Sequence, residues 1–138
     1  MSYLVDTNVI SELRKGERAD AAVRAWVETV ADAEIFLSVL TVGEIRQGVE
    51  RIRRRDPAAA LVLDSWLALV VETHRERLLP VDRLVAEEWG RMSAPDPLPV
   101  IDGLLAATAS VAGLTVATRN VGDFERAGVD FVDPFAAV

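Results

Sequence analysis

The sequence predicts an α/β sandwich built around a mostly parallel sheet. Short apolar runs typical of buried strands alternate with longer segments whose apolar residues recur at helical spacing. No internal repeat, low-complexity tract or linker interrupts this alternation. Strands separated by helices pair in parallel, because each crossover carries the chain back to the same end of the sheet. A chain of 138 residues suits one domain, so we expect a single domain over residues 1–138.

The first half of the chain predicts two strands and four helices. In chain order, we expect a strand at 3–5, a helix through 9–13, a helix at 22–30, a strand at 35–38, a helix that opens at Thr41, and a helix from Asp56 to about His74. Asp56 and Pro57 mark the start of the last helix, because Asp is a favoured N-cap and Pro suits the first helical turn.

The second half predicts the remaining strands and a prominent loop. We expect a brief strand at 79–81, a helix around 84–89, a loop at 93–99, a helix at 101–112, a strand at 114–117, a helix that begins near Asn120, and a strand at 129–132. The loop contains three prolines, which disfavour regular structure. Gly113 is placed to end the helix before it, because glycine accepts the left-handed conformation common at helix ends.

Composition excludes several classes of function. The absence of cysteine excludes disulfides, thiolate zinc sites and a cysteine nucleophile. The N-terminal segment carries Asp6 where a signal peptide is hydrophobic, and no apolar segment approaches the roughly 20 residues that cross a bilayer. We therefore expect a cytoplasmic protein without a membrane partner. The net charge of −7 argues against a general nucleic-acid coat, but an anionic nuclease site neutralised by metal ions is compatible with it.

Four acidic residues stand out by their positions: Asp6, Glu44, Asp102 and Asp123. Asp6 ends the first predicted strand, and Glu44 and Asp123 each follow a strand within a few residues. The functional crevice of an open parallel sheet lies beyond the carboxyl ends of its strands, so these three acids are expected to meet there. Asp102 opens the helix after the proline-rich loop, and topology alone does not place it.

Each acid also has a purely structural interpretation. Residues 41–44 have the form of a capping box, residues 120–123 resemble a cap with an acid in the first turn, and Asp6 and Asp102 suit helix N-termini. A cap contributes only ~0.5–2 kcal/mol. Two carboxylates about 4 Å apart repel by roughly 4 kcal/mol at an effective dielectric constant near 20. If the four acids share one pocket, a cation is needed to offset their repulsion.

The available donors indicate which cation and which chemistry to expect. Four carboxylates with no cysteine and a single histidine form an all-oxygen site, which suits Mg²⁺ or Mn²⁺ rather than zinc. Such ions activate water and stabilise the charge that develops on a phosphate under attack. The sequence therefore predicts phosphodiester hydrolysis by a metal-activated water without a covalent enzyme intermediate. One-ion and two-ion sites both remain open.

Four motifs in this sequence resemble those of the PIN-domain VapC toxins, especially the FitB-like branch. They are LVDTNVISEL around Asp6, LTVGEIRQGV around Glu44, IDGLLAATA around Asp102 and TVATRNVGDF around Asp123. The resemblance extends from residue 3 to about residue 135 and is weakest between 57 and 79. The four motifs together are far more specific than any one of them, because they occur in the family's order and at its spacing.

The resemblance implies a three-layer α/β/α sandwich and an Mg²⁺- or Mn²⁺-dependent endoribonuclease. It also implies a homodimer that acts as the toxin of a type II toxin–antitoxin pair, neutralised by a VapB-like antitoxin bound across the active-site groove. Residue by residue, it implies that the four acids bind metal and catalyse, that Asn8 supports the first acid, and that Thr118 supplies a hydroxyl near the phosphate. Residues 93–99 replace a segment that usually contains Gly and Arg, which leaves no expected substrate contact there.

Two further interpretations concern binding. Arg51 and Arg55 share the side of their helix with Glu44, away from its apolar face, and therefore form a candidate track for an RNA backbone. An ordinary solvated helix face is the alternative. The rival for the whole protein is a catalytically silent PIN-fold binding module within an antitoxin-containing, DNA-bound repressor complex. Metal binding distinguishes the two functions, because a silent module need not bind Mn²⁺.

Overall fold

The computed structural model describes residues 1–136 and centres on a five-stranded sheet. The strands, β1 to β5 in chain order, are Tyr3–Val5, Ile35–Ser38, Leu78–Leu79, Thr115–Ala117 and Phe131–Val132. Their spatial order is β3-β2-β1-β4-β5, and all four pairings are parallel. β1 is therefore the central strand, with Leu4 opposite Phe36 on one side and Val116 on the other. The domain end predicted at residue 138 lies outside the described residues.

Helices pack on both sides of this sheet. Those within the described residues are α1 (Thr7–Leu13), α2 (Ala21–Glu28), α3 (Val39–Arg53), α4 (Pro57–Thr73), α5 (Arg83–Ser93), α6 (Val100–Ala112) and α7 (Val121–Ala127). As predicted, Asp56 caps α4 and Gly113 ends α6 in the left-handed conformation at φ 70°. None of the helices in residues 1–136 combines the length and the apolar character needed to cross a membrane.

The side-chain alternation of β1 divides the core into two layers. Val5 packs into a cluster with residues of α1 to α4, including Val9 and Val49. Leu4 points to the opposite face and packs with Leu105 of α6 and Phe124 of α7. Both faces of the central strand are therefore covered by helices, which explains why its residues are uniformly apolar. The predicted α/β/α sandwich is confirmed, and the sheet is parallel throughout its described strands.

One predicted helix start is wrong, and the difference affects a site residue. α3 begins at Val39, and its N-cap is Ser38, whose hydroxyl accepts a hydrogen bond from the Leu40 N–H at 3.0 Å. The last residue of β2 thus caps the helix directly, because no loop separates the two elements. Thr41 is fully buried within the first turn instead of capping it. Glu44 consequently lies beyond the first turn of α3, and the capping-box interpretation fails.

Candidate active site

The four predicted acids gather at the carboxyl edge of the sheet. Asp6 follows β1 directly, and its backbone N–H donates to the Ala117 carbonyl at the end of β4, at 2.9 Å. Glu44 projects from α3, which continues from β2. Asp102 lies in the first turn of α6 and Asp123 in the first turn of α7. α6 therefore brings in the one acid that topology alone could not place.

Asp6 is the most constrained of these acids. Its carboxylate is 5% exposed and accepts the Thr7 N–H at 2.7 Å, which makes it the N-cap of α1. Its second oxygen accepts the Thr118 hydroxyl at 2.8 Å and the Asn8 amide at 3.4 Å. Burial raises the pKa of Asp6 above its ordinary value, and the charge of Glu44 adds to that shift. The capping interpretation of Asp6 is therefore confirmed, and its role in a metal site stays a prediction.

Asn8 and Thr118 tie two chain segments together around Asp6. The Asn8 side-chain oxygen accepts the backbone N–H of Arg119 at 3.2 Å. The Thr118 hydroxyl accepts the Asn120 N–H at 2.9 Å while it donates to Asp6. These bonds join the β1–α1 junction to the β4–α7 connection. The structure therefore places both predicted supporting residues beside the first acid.

Glu44 joins this part of the site through Thr7. The Thr7 hydroxyl donates to a Glu44 carboxylate oxygen at 2.6 Å, so one residue contacts two acids, Asp6 through its N–H and Glu44 through its side chain. Sequence reasoning missed Thr7 as a site residue. Its position directly after Asp6 was the available signal, because the first residue of a strand-to-helix junction lies at the same sheet edge as the acid.

Asp102 and Asp123 form a second pair, bridged by Asn120. The Asn120 amide donates to Asp102 at 2.7 Å and to Asp123 at 3.0 Å. Asn120 occupies the N-cap position of α7, but its side chain does not cap the helix. The predicted cap position and first-turn acid of segment 120–123 are therefore confirmed, but the Asn120 side chain makes no capping bond because its amide is oriented toward the carboxylates. Arg126 lies 3.5 Å from Asp123 and binds Asp96 of the proline-rich loop at 2.8 Å.

Asp102 shows the electrostatic cost of the arrangement. Burial raises its pKa from 3.8 to about 7, with contributions from the hydrogen bond to Asp123 and from the charges of Asp6, Asp123 and Glu44. All four acids therefore act on one another electrostatically, although they derive from four separate helices or helix starts. A divalent cation among them would relieve this repulsion.

The donor chemistry suits a hard divalent ion, but the ligand cage is not preassembled. Carboxylate and hydroxyl oxygens line the site, which is the donor set that Mg²⁺ and Mn²⁺ prefer. Within residues 1–136, no three Asp, Glu or His side chains already stand at metal-binding distances. Thr7 and Asn120 explain this, because their hydrogen bonds hold carboxylate oxygens that a cation would need.

The arginines of α3 and of the turn after it fall into two groups. The prediction that Arg51 and Arg55 share one side of a helix is wrong, because α3 ends at Arg53 and Arg55 lies in the turn that follows. Arg46 and Arg53 bind Glu50 and Asp64, with Arg–Asp64 distances of 2.6 and 2.8 Å, and so connect α3 to α4. Arg51 and Arg55 are exposed and form no ion pair within the described part of the chain. Their cationic groups are therefore free to meet a phosphate, and their role in RNA binding stays a prediction.

Comparison with known proteins identifies the family. The model of the PIN domain matches residues 3–129. A VapC ribonuclease of Sinorhizobium fredii is 34% identical over 96% of both chains. The toxin FitB of Neisseria gonorrhoeae is 32% identical, over 96% of this chain and 97% of its own. The chain belongs to the PIN-domain family.

The structural comparison agrees along nearly the whole chain. A solved structure of FitAB bound to a DNA fragment superposes with a TM-score of 0.88 at 30% identity, over 99% of this chain and 97% of that one. The resemblance to VapC-type toxins of the FitB-like branch, which the four motifs predicted, is confirmed by these relatives.

Proposed function

We propose that residues 1–138 form one nuclease domain that hydrolyses RNA phosphodiester bonds as the toxin of a type II toxin–antitoxin pair. One observation carries the proposal. Carboxylates that are distant in the sequence meet at the carboxyl edge of a parallel sheet in a PIN-domain protein whose relatives include a VapC ribonuclease and the toxin FitB. A purely structural role does not explain why Asp102 lies near three other acids that contribute to raising its pKa.

Asp6, Glu44, Asp102 and Asp123 are the residues that would hold Mg²⁺ or Mn²⁺. When bound, the ion supplies an activated water nucleophile and neutralises charge on the scissile phosphate. Thr118 and Asn8 orient the Asp6 carboxylate, and Thr7 orients Glu44. Supporting hydrogen bonds of this kind commonly change metal affinity or activity by roughly 10–100-fold when they are removed.

The partners follow from the same relatives. A solved relative is a FitAB assembly on DNA, which supports a VapB-like antitoxin as the partner of this chain. We also propose a homodimer, and an RNA substrate guided toward the acids by Arg51 and Arg55. An RNA backbone carries negative charge that exposed arginines attract, whereas the chain as a whole has a net charge of −7.

The direct test is Mn²⁺-dependent cleavage of RNA by the native chain and by Asp6→Asn. The substitution keeps the shape of the side chain and one of its two accepting oxygens, so the fold should persist with an unchanged circular dichroism spectrum. We expect cleavage to fall by at least about 1,000-fold, because a ligand charge that no other residue replaces is lost. Equal cleavage by the two proteins rules out the assigned site.

A second function has support from the DNA-bound relative. A silent PIN fold could contribute only to a repressor complex, and the absence of a preassembled three-acid cage within residues 1–136 is compatible with that. Calorimetric titration with Mn²⁺ separates the two functions. Binding that disappears in Asp6→Asn supports the nuclease, whereas a native chain that does not bind Mn²⁺ supports the silent module.

A further inference from the structure

A groove leads away from the acids between α1, α3 and α4. Thr7 and Glu44 line its near end, Ser11 and Gly48 line its middle, and Arg14 and Trp66 line its far end. Its volume is about 190 Å³. Pockets that enclose drug-sized ligands measure roughly 300–1,000 Å³. The groove therefore fits one planar group of a larger ligand, and it is continuous with the site through Thr7 and Glu44.

Gly48 lines the floor of this groove, and the surrounding packing does not require glycine at this position. It lies one turn after Glu44 inside α3, where glycine costs about 1 kcal/mol relative to alanine. A Cβ atom built at Gly48 meets no atom within 4 Å, and its φ is an ordinary helical one. Neither crowding nor backbone strain within the chain requires glycine here, so the space itself is the feature to explain.

The far end of the groove combines a cation with an aromatic face. The Arg14 guanidinium lies 5.9 Å from the ring centre of Trp66. Arg14 is exposed and has no carboxylate partner within residues 1–136, so its N–H donors are available to a ligand. Stacking on an aromatic ring and pairing with a phosphate are the two contacts by which proteins hold single-stranded nucleic acid.

We propose that this groove is a nucleotide subsite for single-stranded RNA next to the scissile phosphate. One base stacks on the exposed face of the Arg14 guanidinium, which lies over Trp66. The N–H edge of the same guanidinium binds the adjoining phosphate, and the open floor at Gly48 lets the strand pass from the acids. The inference rests on the proposed ribonuclease function and extends it, because it assigns where the strand runs. A peptide could occupy the apolar walls, but a free guanidinium beside an aromatic ring favours an anionic, planar ligand.

The first test fills the groove floor. Gly48→Leu projects a side chain into open space, and Gly90→Leu does the same on the exposed side of α5, where a Cβ also meets no atom within 4 Å. In an Asp102→Asn background that prevents cleavage, we expect Gly48→Leu to weaken binding of a fluorescein-labelled single-stranded RNA by about tenfold or more. Gly90→Leu should bind as its parent does. Both variants should unfold at or a few degrees above the parent's thermal midpoint, because each replaces a helical glycine with a better helix former.

A metal titration tests whether Gly48→Leu disturbs the neighbouring Glu44. Gly48→Leu in the native background should bind Mn²⁺ with unchanged affinity, because the substitution fills the groove without removing a carboxylate. A tenfold loss of Mn²⁺ affinity would show that the substitution acts through the acids, and would overturn the subsite.

The second test removes the cation. Arg14→Ala should lower the slope of log Kd against log salt by about 0.7, the value for one phosphate contact on a single strand. The matched control, Arg83→Ala, removes an exposed arginine at the start of α5 and should leave the slope unchanged.

Different outcomes reject the ribonuclease function and the nucleotide subsite. No Mn²⁺-dependent cleavage by the native chain rejects the ribonuclease function. Cleavage by the native chain, with RNA binding that neither Gly48→Leu nor Arg14→Ala weakens, rejects the subsite alone and assigns the groove to a protein ligand.

Discussion

The two halves of the acidic site differ in how firmly they are held. Asp6 receives three hydrogen bonds from residues beside it and across the sheet, and Glu44 is attached to the same half through Thr7. Asp102 and Asp123 share a single amide donor, Asn120. The first half is therefore positioned before any ligand arrives, whereas the second half carries repulsion that a cation can relieve. Preorganisation on one side and adjustability on the other would suit the binding and release of the proposed metal ion.

The largest expected effect concerns the adjustable half. Asp102→Asn should abolish Mn²⁺-dependent cleavage, by at least about 1,000-fold, because a ligand charge is lost. The same substitution should stabilise the metal-free protein at pH 8 by on the order of 1–2 kcal/mol, since it removes a repelled carboxylate. Thermal unfolding in EDTA measures the gain in stability. A lower midpoint than that of the native chain would contradict the repulsion that we infer between Asp102 and the neighbouring acids.

The pH dependence of that gain has a definite sign. Because the folded pKa of Asp102 is raised from 3.8 to about 7, the folded chain holds a proton that the unfolded chain has already released. Stability of the metal-free native chain should therefore decline as pH rises from about 4 to 7, through this group. Asp102→Asn should flatten this part of the profile, and midpoints measured across that range provide the check.

A smaller effect is expected in the firmly held half. Thr118→Val keeps the side-chain shape but removes the hydroxyl that joins Asp6 to the Asn120 N–H. We expect Mn²⁺ affinity or cleavage to fall by about 10–100-fold, and the free energy of unfolding by about 1–3 kcal/mol, because a buried acid loses a donor.

Thr115→Val is the matched control for that change. It makes the same substitution at the first residue of β4, shortly before Thr118, where the hydroxyl forms no hydrogen bond with the described residues. Unchanged Mn²⁺ binding by Thr118→Val would mean that Asp6 needs no preorganisation.

The smallest expected effect is a gain in Mn²⁺ affinity instead of a loss. Asn120→Ala removes the amide that holds Asp102 and Asp123 together in the metal-free state. Because that stabilisation is lost before metal binds, Mn²⁺ should bind slightly more tightly, by about two- to fivefold, a modest gain since water replaces most of the two lost hydrogen bonds. Calorimetry compares the variant with the native chain. Weaker binding would assign Asn120 to the ligand shell.

The sequence was informative about elements and acids but not about the bonds between side chains. Asp6 was predictable because a strand end fixes its position, and α6 was predictable from its apolar run and Gly113. Thr7 and Asn120 were missed as site residues because their roles depend on acids brought near by the fold. The helix start at Thr41 was wrong because the local capping pattern competed with Ser38, and only the absence of a loop after β2 decided between them.

The position of β1 at the middle of the sheet affects when activity arises during synthesis. Its two neighbours come from residues 35–38 and 115–117, so the first strand made has an open flank until most of the chain exists. Asp6 likewise acquires its Thr118 hydrogen bond only after that late strand docks. The acidic site of this PIN-domain chain can therefore be complete only after residues 115–123 have been synthesised and have packed beside β1.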